Sequence, residues 1–251
     1  MKTTILILFF SFIGLISKGQ NDNQLFVTYH FLNFKNNKDQ KINLLISPDD
    51  SFSEFIEHKA IGKTDGYNEE ENSYSFRIES NDSIGKQYYN NGKQIVFRDF
   101  VYNDGSLIPV VVTEQTPKLN WILTNEQKKI GSFNCKKAKL DFRGRFYEVW
   151  YSLDIPTMFG PWKFQGLPGL IIQASTLDLS ISFTLSELKY LDEFEPLSVP
   201  KIGKKITFDQ YVKYKENAVK NYIDRIKAKL PRGARVKTNS IKDNNLEINF
   251  K

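Results

Sequence analysis

Few residues of this 251-residue chain are of the kinds that do covalent or acid–base chemistry. There is one cysteine, Cys135, and there are two histidines, His30 and His58. A thiol nucleophile needs a base within hydrogen-bond reach. Cys135 and His30 could meet only across a sheet, and neither sits in a recognisable catalytic setting. Cys135 reads more simply as a small buried hydrophobe. Asp141, Glu148 and Asp154 lie close together in sequence. Two convergent carboxylates could hydrolyse a glycan, one as acid and the other as base or nucleophile. The plainer reading places these three on wet strand faces, partnered by Arg143, Arg145 and Lys163. The chain has no C-x-x-C, H-E-x-x-H or EF-hand spacing, so no metal site is expected. No cofactor is expected either. Gly166-x-x-Gly169 is interrupted by Pro168 in an apolar setting, which argues against a phosphate cradle.

The elements that must carry these residues are mostly strands. Leu179, Ile181, Phe183 and Leu185 alternate with serine and threonine, as a half-buried strand does. Tyr74/Phe76/Ile78, Leu246/Ile248/Phe250 and Ile42/Leu44/Ile46 repeat that pattern. Residues 25–34, 94–100 and 107–113 are strand-like but apolar at both parities, which suggests cover on both faces. Asn91-Gly92, Asp104-Gly105 and Arg143-Gly144 are suited to tight hairpin turns. Arg143-Gly144 separates two runs, 136–142 and 145–152. Residues 35–40 and 62–72 read as polar loops, and 51–60 as a short helix. Residues 208–230 space Phe208, Tyr211, Val212, Val219, Tyr222, Ile226 and Leu230 as one helical stripe, started at Thr207 and ended by Pro231 and Gly233. Lys213, Lys220 and Lys227 recur on its other side as a basic face. The fold class expected is mainly β: a curved antiparallel meander or half-barrel with one long amphipathic helix packed on it.

One segment breaks the alternation. Between Ser152 and Leu170 fall Pro156, Gly160, Pro161, Gly166, Pro168 and Gly169, together with Met158, Phe159, Trp162, Phe164 and Leu167. Burying each large apolar side chain is worth about 1.5–3 kcal/mol, so this loop is expected to fold back onto the sheet. Pro168-Gly169 suits the central positions of a type II turn, with glycine supplying the positive φ. Gly166 would permit a close backbone approach. Trp150, Trp162 and Phe164 then either pack the core or line an apolar groove with Arg145 or Lys163 at its mouth.

The hexapeptide Gly166-Leu167-Pro168-Gly169-Leu170-Ile171 and its surroundings, residues 135–171, resemble the core of the GLPGLI family of exported proteins of Bacteroidota. The shared features are a cysteine followed by Lys-Ala, a Gly-Arg hairpin, Val-Trp-Tyr, Ile-Pro and Gly-Pro. The resemblance implies export and a mostly β fold, and no established activity.

Residues 1–19 read as a secretory signal peptide: Lys2, an apolar run over 5–16, then Ser17-Lys18-Gly19 before a cut at Gln20. No cysteine stands at the new terminus, so a lipoprotein is not expected. The remaining 232 residues, 20–251, suit a single β-rich domain. The location expected is periplasmic or extracellular, and no nucleic-acid partner is expected. Residues 201–251 hold fourteen lysines and arginines against five acids, a net of +9, while residues 20–200 carry a net of −5. The basic helix is either solvated or a peripheral contact for an anionic membrane. The function expected is a non-catalytic binding module for a lipid-like ligand or an outer-membrane protein. An envelope hydrolase and a purely structural protein are the alternatives. An apolar cavity of several hundred Å³ between sheet and helix would mark a ligand carrier; a filled interior would favour a protein-binding or structural role.

Overall fold

The structure, a computed structural model, describes residues 24–36, 38–56, 66–68, 73–75, 82–103, 106–229 and 245–250. The segments 1–19, 57–60, Asp104-Gly105 and 230–233, to which the sequence assigned a signal peptide, a helix end, a turn and a helix stop, lie outside the described residues, as do His58, Phe76 and Ile78.

The first half of the chain supplies β1 (Leu25–Asn33), β2 (Lys38–Ile46), β3 (Ser51–Ile56), β4 (Gly66–Asn68), β5 (Ser73–Ser75), β6 (Gln87–Asn90), β7 (Gln94–Asn103) and β8 (Ser106–Gln115). The second supplies β9 (Ile122–Ile130), β10 (Phe133–Phe142), β11 (Arg145–Ser152), β12 (Leu170–Thr176), β13 (Ile181–Tyr190), β14 (Lys204–Thr207) and the helix α1 (Phe208–Lys229). Twelve strands form one sheet in the order β14-β8-β7-β6-β3-β2-β1-β13-β12-β11-β10-β9, and β4 pairs with β5 separately. The large sheet is two meanders, one running out from β1 to β8 and one running in from β9 to β13, joined where β1 pairs antiparallel with β13. Only β14 against β8 is parallel among these pairs.

The alternation read from sequence matches the burial. Ile42, Leu44 and Ile46 of β2 and Ile181 and Phe183 of β13 all point into the core. Residues 25–34 differ from the expectation of cover on both faces: Leu25, Val27, Tyr29 and Phe31 are buried, whereas Phe26 and Leu32 are half-buried and His30 is exposed. Residues 94–103 are apolar at both parities for a visible reason. Ile95, Phe97, Asp99 and Val101 share the parity that meets α1, where Phe97 packs edge-on against Tyr211. Arg98, on the other parity, is covered by Asp82, the Gly85 carbonyl and the Ile202 carbonyl, the last accepting from Nε at 2.6 Å. The sheet is strongly bent. Glu114 of β8 reaches Arg143 at the β10–β11 turn although these strands stand near opposite ends of the strand order.

Four local expectations are corrected. Residues 51–56 are a strand, because Ser51, Ser53 and Phe55 alternate inward at period two. Leu179 lies outside β13 in the preceding turn, at φ 55° and exposed. Lys38–Gln40 already belong to β2. Leu246, Ile248 and Phe250 lie in irregular chain with bends at Asn245, Leu246 and Ile248, and the burial is the reverse of that expected: Glu247 is buried, while the three apolar neighbours are half-buried. The helix begins as expected, with a reciprocal cap in which the Gln210 amide N–H donates to Thr207 Oγ1 at 3.2 Å and the Thr207 N–H donates to Gln210 Oε1 at 2.9 Å.

Candidate functional site: a plugged concave face

The segment between β11 and β12 folds into the concave face of the sheet. It doubles back on itself: the Gly160 N–H donates to the Phe164 carbonyl at 2.9 Å, and the Gly166 N–H to the Met158 carbonyl at 2.7 Å. Trp162 sits at its tip with φ 61°, an uncommon conformation for a bulky residue. Trp162 and Phe164 are buried and meet edge-on at 5.2 Å between ring centroids. Around them stand Phe142, Tyr147 and Phe183. From Phe183 the contacts run on through Phe31, Phe55, Tyr88 and Phe97 to Tyr211 of the helix. Rings in such tilted and edge-to-face pairs gain about 0.5–1.5 kcal/mol each beyond area burial. The aromatic connector is thus the middle of the core.

The hexapeptide is held from several sides. Tyr29 Oη donates to the Ile171 carbonyl at 2.6 Å, and burial pushes the Tyr29 hydroxyl far above its ordinary pKa. Trp121 Nε1 donates to the Gln165 carbonyl at 2.7 Å, and Asn90 Nδ2 to Gln165 Oε1 at 2.8 Å. The two glycines exchange the roles expected of them. Gly166 has the positive φ, 86°, and a Cβ there would meet only Trp121 Nε1, at 3.8 Å. Gly169 has no positive φ; its missing Cβ would lie 2.1 Å from the Ser152 carbonyl oxygen. Pro168-Gly169 is therefore not a type II turn but a close crossing of two backbones.

Lys163 is fully buried beside the plug. Its ammonium donates to Glu114 Oε2 at 2.8 Å and to Glu247 Oε1 and Oε2 at 2.9 and 3.2 Å, and lies 4.2 Å from the centre of the Phe97 ring. Arg143 bridges the same two glutamates and stacks on Phe208 and Phe250. Burial alone would pull the Arg143 guanidinium down, but Glu247 and Glu114 more than offset it and raise its pKa. Two cations and two carboxylates thus balance in a low-dielectric site. A second cluster lies alongside. Asp99 accepts from Tyr211 Oη at 2.6 Å, with Lys86 at 2.8 Å and Lys215 at 3.1 Å. Burial opposes the Asp99 charge, yet Lys215, Lys86 and the tyrosine hydroxyl hold its pKa well below the usual carboxylate range.

Both clusters border one cavity between sheet and helix, lined by residues that include Tyr88, Asp99, Trp162, Tyr211 and Glu247. Its volume is about 20 Å³, room for one water molecule. Outer clefts of about 380 Å³ between β14 and α1, with a mainly apolar lining surface that includes Ile206 and Tyr214, and of about 320 Å³ along residues 245–250, with a mainly polar one, are open to solvent.

The remaining candidates separate. Trp150 lies on the opposite face of β11 from Tyr147, Val149 and Tyr151, under Lys128 at 4.1 Å and Lys137 at 5.6 Å, away from Trp162 and Phe164. Arg145 is buried and donates from Nε to the Asn245 carbonyl at 2.8 Å. Neither Arg145 nor Lys163 stands at a groove mouth. Lys213, Lys220 and Lys227 are exposed on α1. Glu148 pairs with Lys137 at 2.9 Å, and that hydrogen bond lowers its pKa, the wrong direction for a general acid. Lys139 stands opposite Glu148 across the strands, and Asp154 accepts from the Asn134 N–H. The partners expected for these carboxylates, Arg143 and Lys163, instead hold Glu114 and Glu247. Cys135 is buried, and burial raises its thiol pKa; it sits on β10, with β11, β12 and β13 between it and His30 on β1. His30 pairs with Asp39 on the exposed face. Among the described residues no three His, Cys, Asp or Glu side chains gather as a metal site, and no helix is long and apolar enough to cross a membrane.

Glu114 and Glu247 were not singled out from the sequence. A signal existed for the first: Val110, Val112 and Glu114 share one strand parity, so a carboxylate had to enter the core and find cations there.

Comparison with known proteins bears on the same segment. A family model described as a protein of unknown function (Porph_ging) matches residues 143–173, which span the β10–β11 turn, the aromatic connector and the hexapeptide. No curated protein matches. Among solved structures, PNGF-II in a P21 crystal is similar with a TM-score of 0.52 at 17% identity over 76% of this chain, and PNGF-II in a C2 crystal with a TM-score of 0.50 at 17% identity over 79%. The chain spans 33% of the PNGF-II chain, and at this identity the likeness is one of fold. A putative outer membrane lipoprotein-sorting protein domain from Vibrio parahaemolyticus matches with a TM-score of 0.28 at 7% identity, over 69% of this chain and 87% of that one. A segment of the chain therefore matches a family model of unknown function, and the chain has a mainly β fold similar to part of a longer chain.

Proposed function

We propose that this chain is an exported cell-envelope protein of the GLPGLI type that binds a protein partner through its surface and performs no catalysis of its own. The observation that carries this reading is the filled interior. Trp162, Phe164 and Lys163 occupy the place between sheet and helix where an acyl chain would lie, and the cavity left there is about 20 Å³. A ligand carrier needs roughly 300 Å³ or more.

A rim of the sheet supplies the surface. The Phe34 N–H donates to the Ser180 carbonyl at 2.9 Å and the Leu177 N–H to the Phe146 carbonyl at 3.1 Å, which draws Phe34, Phe146, Leu177 and Leu179 to one end. All four side chains are more than half exposed, at 68%, 58%, 61% and 66%. Contiguous exposed apolar residues with a polar border suit a protein or membrane contact. The border here is mixed in charge, with Lys35 paired to Asp178 at 3.0 Å and His30 to Asp39 at 2.6 Å. Acidic groups oppose docking to an anionic lipid surface, which favours protein. The signal-like residues 1–19 support export to the periplasm or beyond.

A photo-crosslinking amino acid placed at Leu179 in the producing cell tests the reading. A discrete protein adduct at Leu179, absent when the same group stands at Lys213, is expected. Lipid adducts alone, or no difference between the two positions, would overturn it.

A further inference from the structure

We propose that this chain binds a second copy of itself head to tail, with the acidic loop 192–195 of one copy seated in the basic cleft between β14 and α1 of the next. The rim of Phe34, Phe146, Leu177 and Leu179 plays no part in this contact.

The loop is held out ready-made. Its two ends are pinned to the buried Gln24: the Leu191 N–H donates to the Gln24 carbonyl at 2.9 Å, the Glu195 N–H to Gln24 Oε1 at 2.6 Å, and Gln24 Nε2 to the Glu195 carbonyl at 2.7 Å. Between these ties Asp192, Glu193 and Phe194 are exposed, Phe194 at 64%. A loop fixed in this way loses little freedom on docking. It presents one aromatic ring flanked by carboxylates.

The cleft is the complement. Its floor of Ile206 and Tyr214 is apolar, Lys204, Lys205 and Lys213 stand around it, and no carboxylate lines it. Its volume of about 380 Å³ is open. β14 ends the strand order, so its outer edge pairs with no described strand. Lysines on such an edge repel a second copy of the same strand; an acidic loop is attracted instead. The three lysines, Asp192 and Glu193 form no ion pair among the described residues. The loop of the same chain stands elsewhere, because β8, β7, β6, β3 and β2 separate β14 from β1 and Gln24. A contact between two different surfaces joins copies head to tail. One loop in one cleft is a small interface, so the contact is weak and dissociates on dilution.

Sedimentation equilibrium of the full chain, from about 10 μM to about 1 mM, tests this in the range where so small a contact forms. The average mass of the parent chain should rise with concentration. Raising salt from about 0.1 M to about 1 M shortens the screening length from about 10 Å to about 3 Å and should weaken the association at least about tenfold. Glu193→Gln/Phe194→Ser removes the loop and Lys204→Glu/Lys205→Glu removes the cleft. Each variant alone should stay monomeric, while a mixture of the two, which keeps one intact loop and one intact cleft, should give a dimer and nothing larger. A parent chain that stays monomeric throughout, association indifferent to salt, or a mixture that stays monomeric while the parent associates would overturn the proposal. If either double variant fails to fold by circular dichroism, Phe194→Ala and Lys205→Gln replace them and are judged by the same outcomes. A self-adduct at Lys213 has twice the mass of the chain, which tells it from the adduct sought at Leu179.

Discussion

The carbonyl oxygen of Ser152 stands 2.1 Å from where a Cβ on Gly169 would be. At that point the end of β11 and the start of β12 cross, and everything between them, the aromatic plug included, is looped into the concave face. The hydrogen bond from the Leu170 N–H to the Ile155 carbonyl at 3.0 Å fastens the crossing.

Alanine at the two glycines of the hexapeptide separates the two physical roles. Gly169→Ala forces backbone against backbone and should cost about 3 kcal/mol or more. Gly166→Ala makes only an ordinary contact with Trp121 and bears the strain of a positive φ, about 1–2 kcal/mol. Urea denaturation of both variants checks the order. Equal losses, or a larger loss at Gly166, would contradict the crossing.

The ion cluster predicts strong coupling. Lys163→Met leaves Glu114 and Glu247 with Arg143 alone and should cost about 3–5 kcal/mol. Combining Lys163→Met with Glu247→Gln restores the charge balance, so the double variant should be more stable than the sum of the single losses by at least about 1 kcal/mol. Additive losses would mean that the charges are screened by solvent.

Acid stability should report on Asp99. An unfolded aspartate titrates near about 3.9, whereas Lys215 and Lys86 keep the folded carboxylate charged to lower pH in spite of burial. Below about pH 4 the unfolded chain takes up this proton first, so the stabilisation from Asp99 is complete above that pH and is lost as the pH falls toward the folded value. Unfolding free energies measured from pH 5 downward should therefore fall more steeply for the parent than for Asp99→Asn. Parallel curves would contradict the assignment.

Cys135 should resist thiol reagents in the native chain and react fully in denaturant, since its side chain is enclosed and burial raises its pKa. Rapid native labelling would place it at the surface.

Much of this was legible in the sequence, and the failures are specific. Period-two runs located β2 and β13, whose inner face is apolar and outer face wet, and the Arg143-Gly144 turn located β10 and β11 on either side of it. The long helix showed through its stripe, and the aromatic connector through the cost of leaving five large side chains in water. What remained hidden depends on contacts distant in the chain. Glu247 outcompetes Leu246 and Ile248 for the interior because two buried cations, one 84 residues away, require it there. No local pattern encodes that. The glycine roles were exchanged for the same reason: a sequence shows that glycine is present, but only the crossing with Ser152 shows which one lacks room for a side chain. Trp150 shares no face with Trp162, because its parity on β11 turns it to the lysines outside.

Native mass spectrometry of the protein recovered from the cells that produce it, without organic extraction, tests the filled interior most directly. The bare polypeptide mass, unchanged after lipid extraction, is expected. A stoichiometric lipid-sized increment that extraction removes would contradict the account, because it would require Trp162 and Phe164 to vacate the concave face.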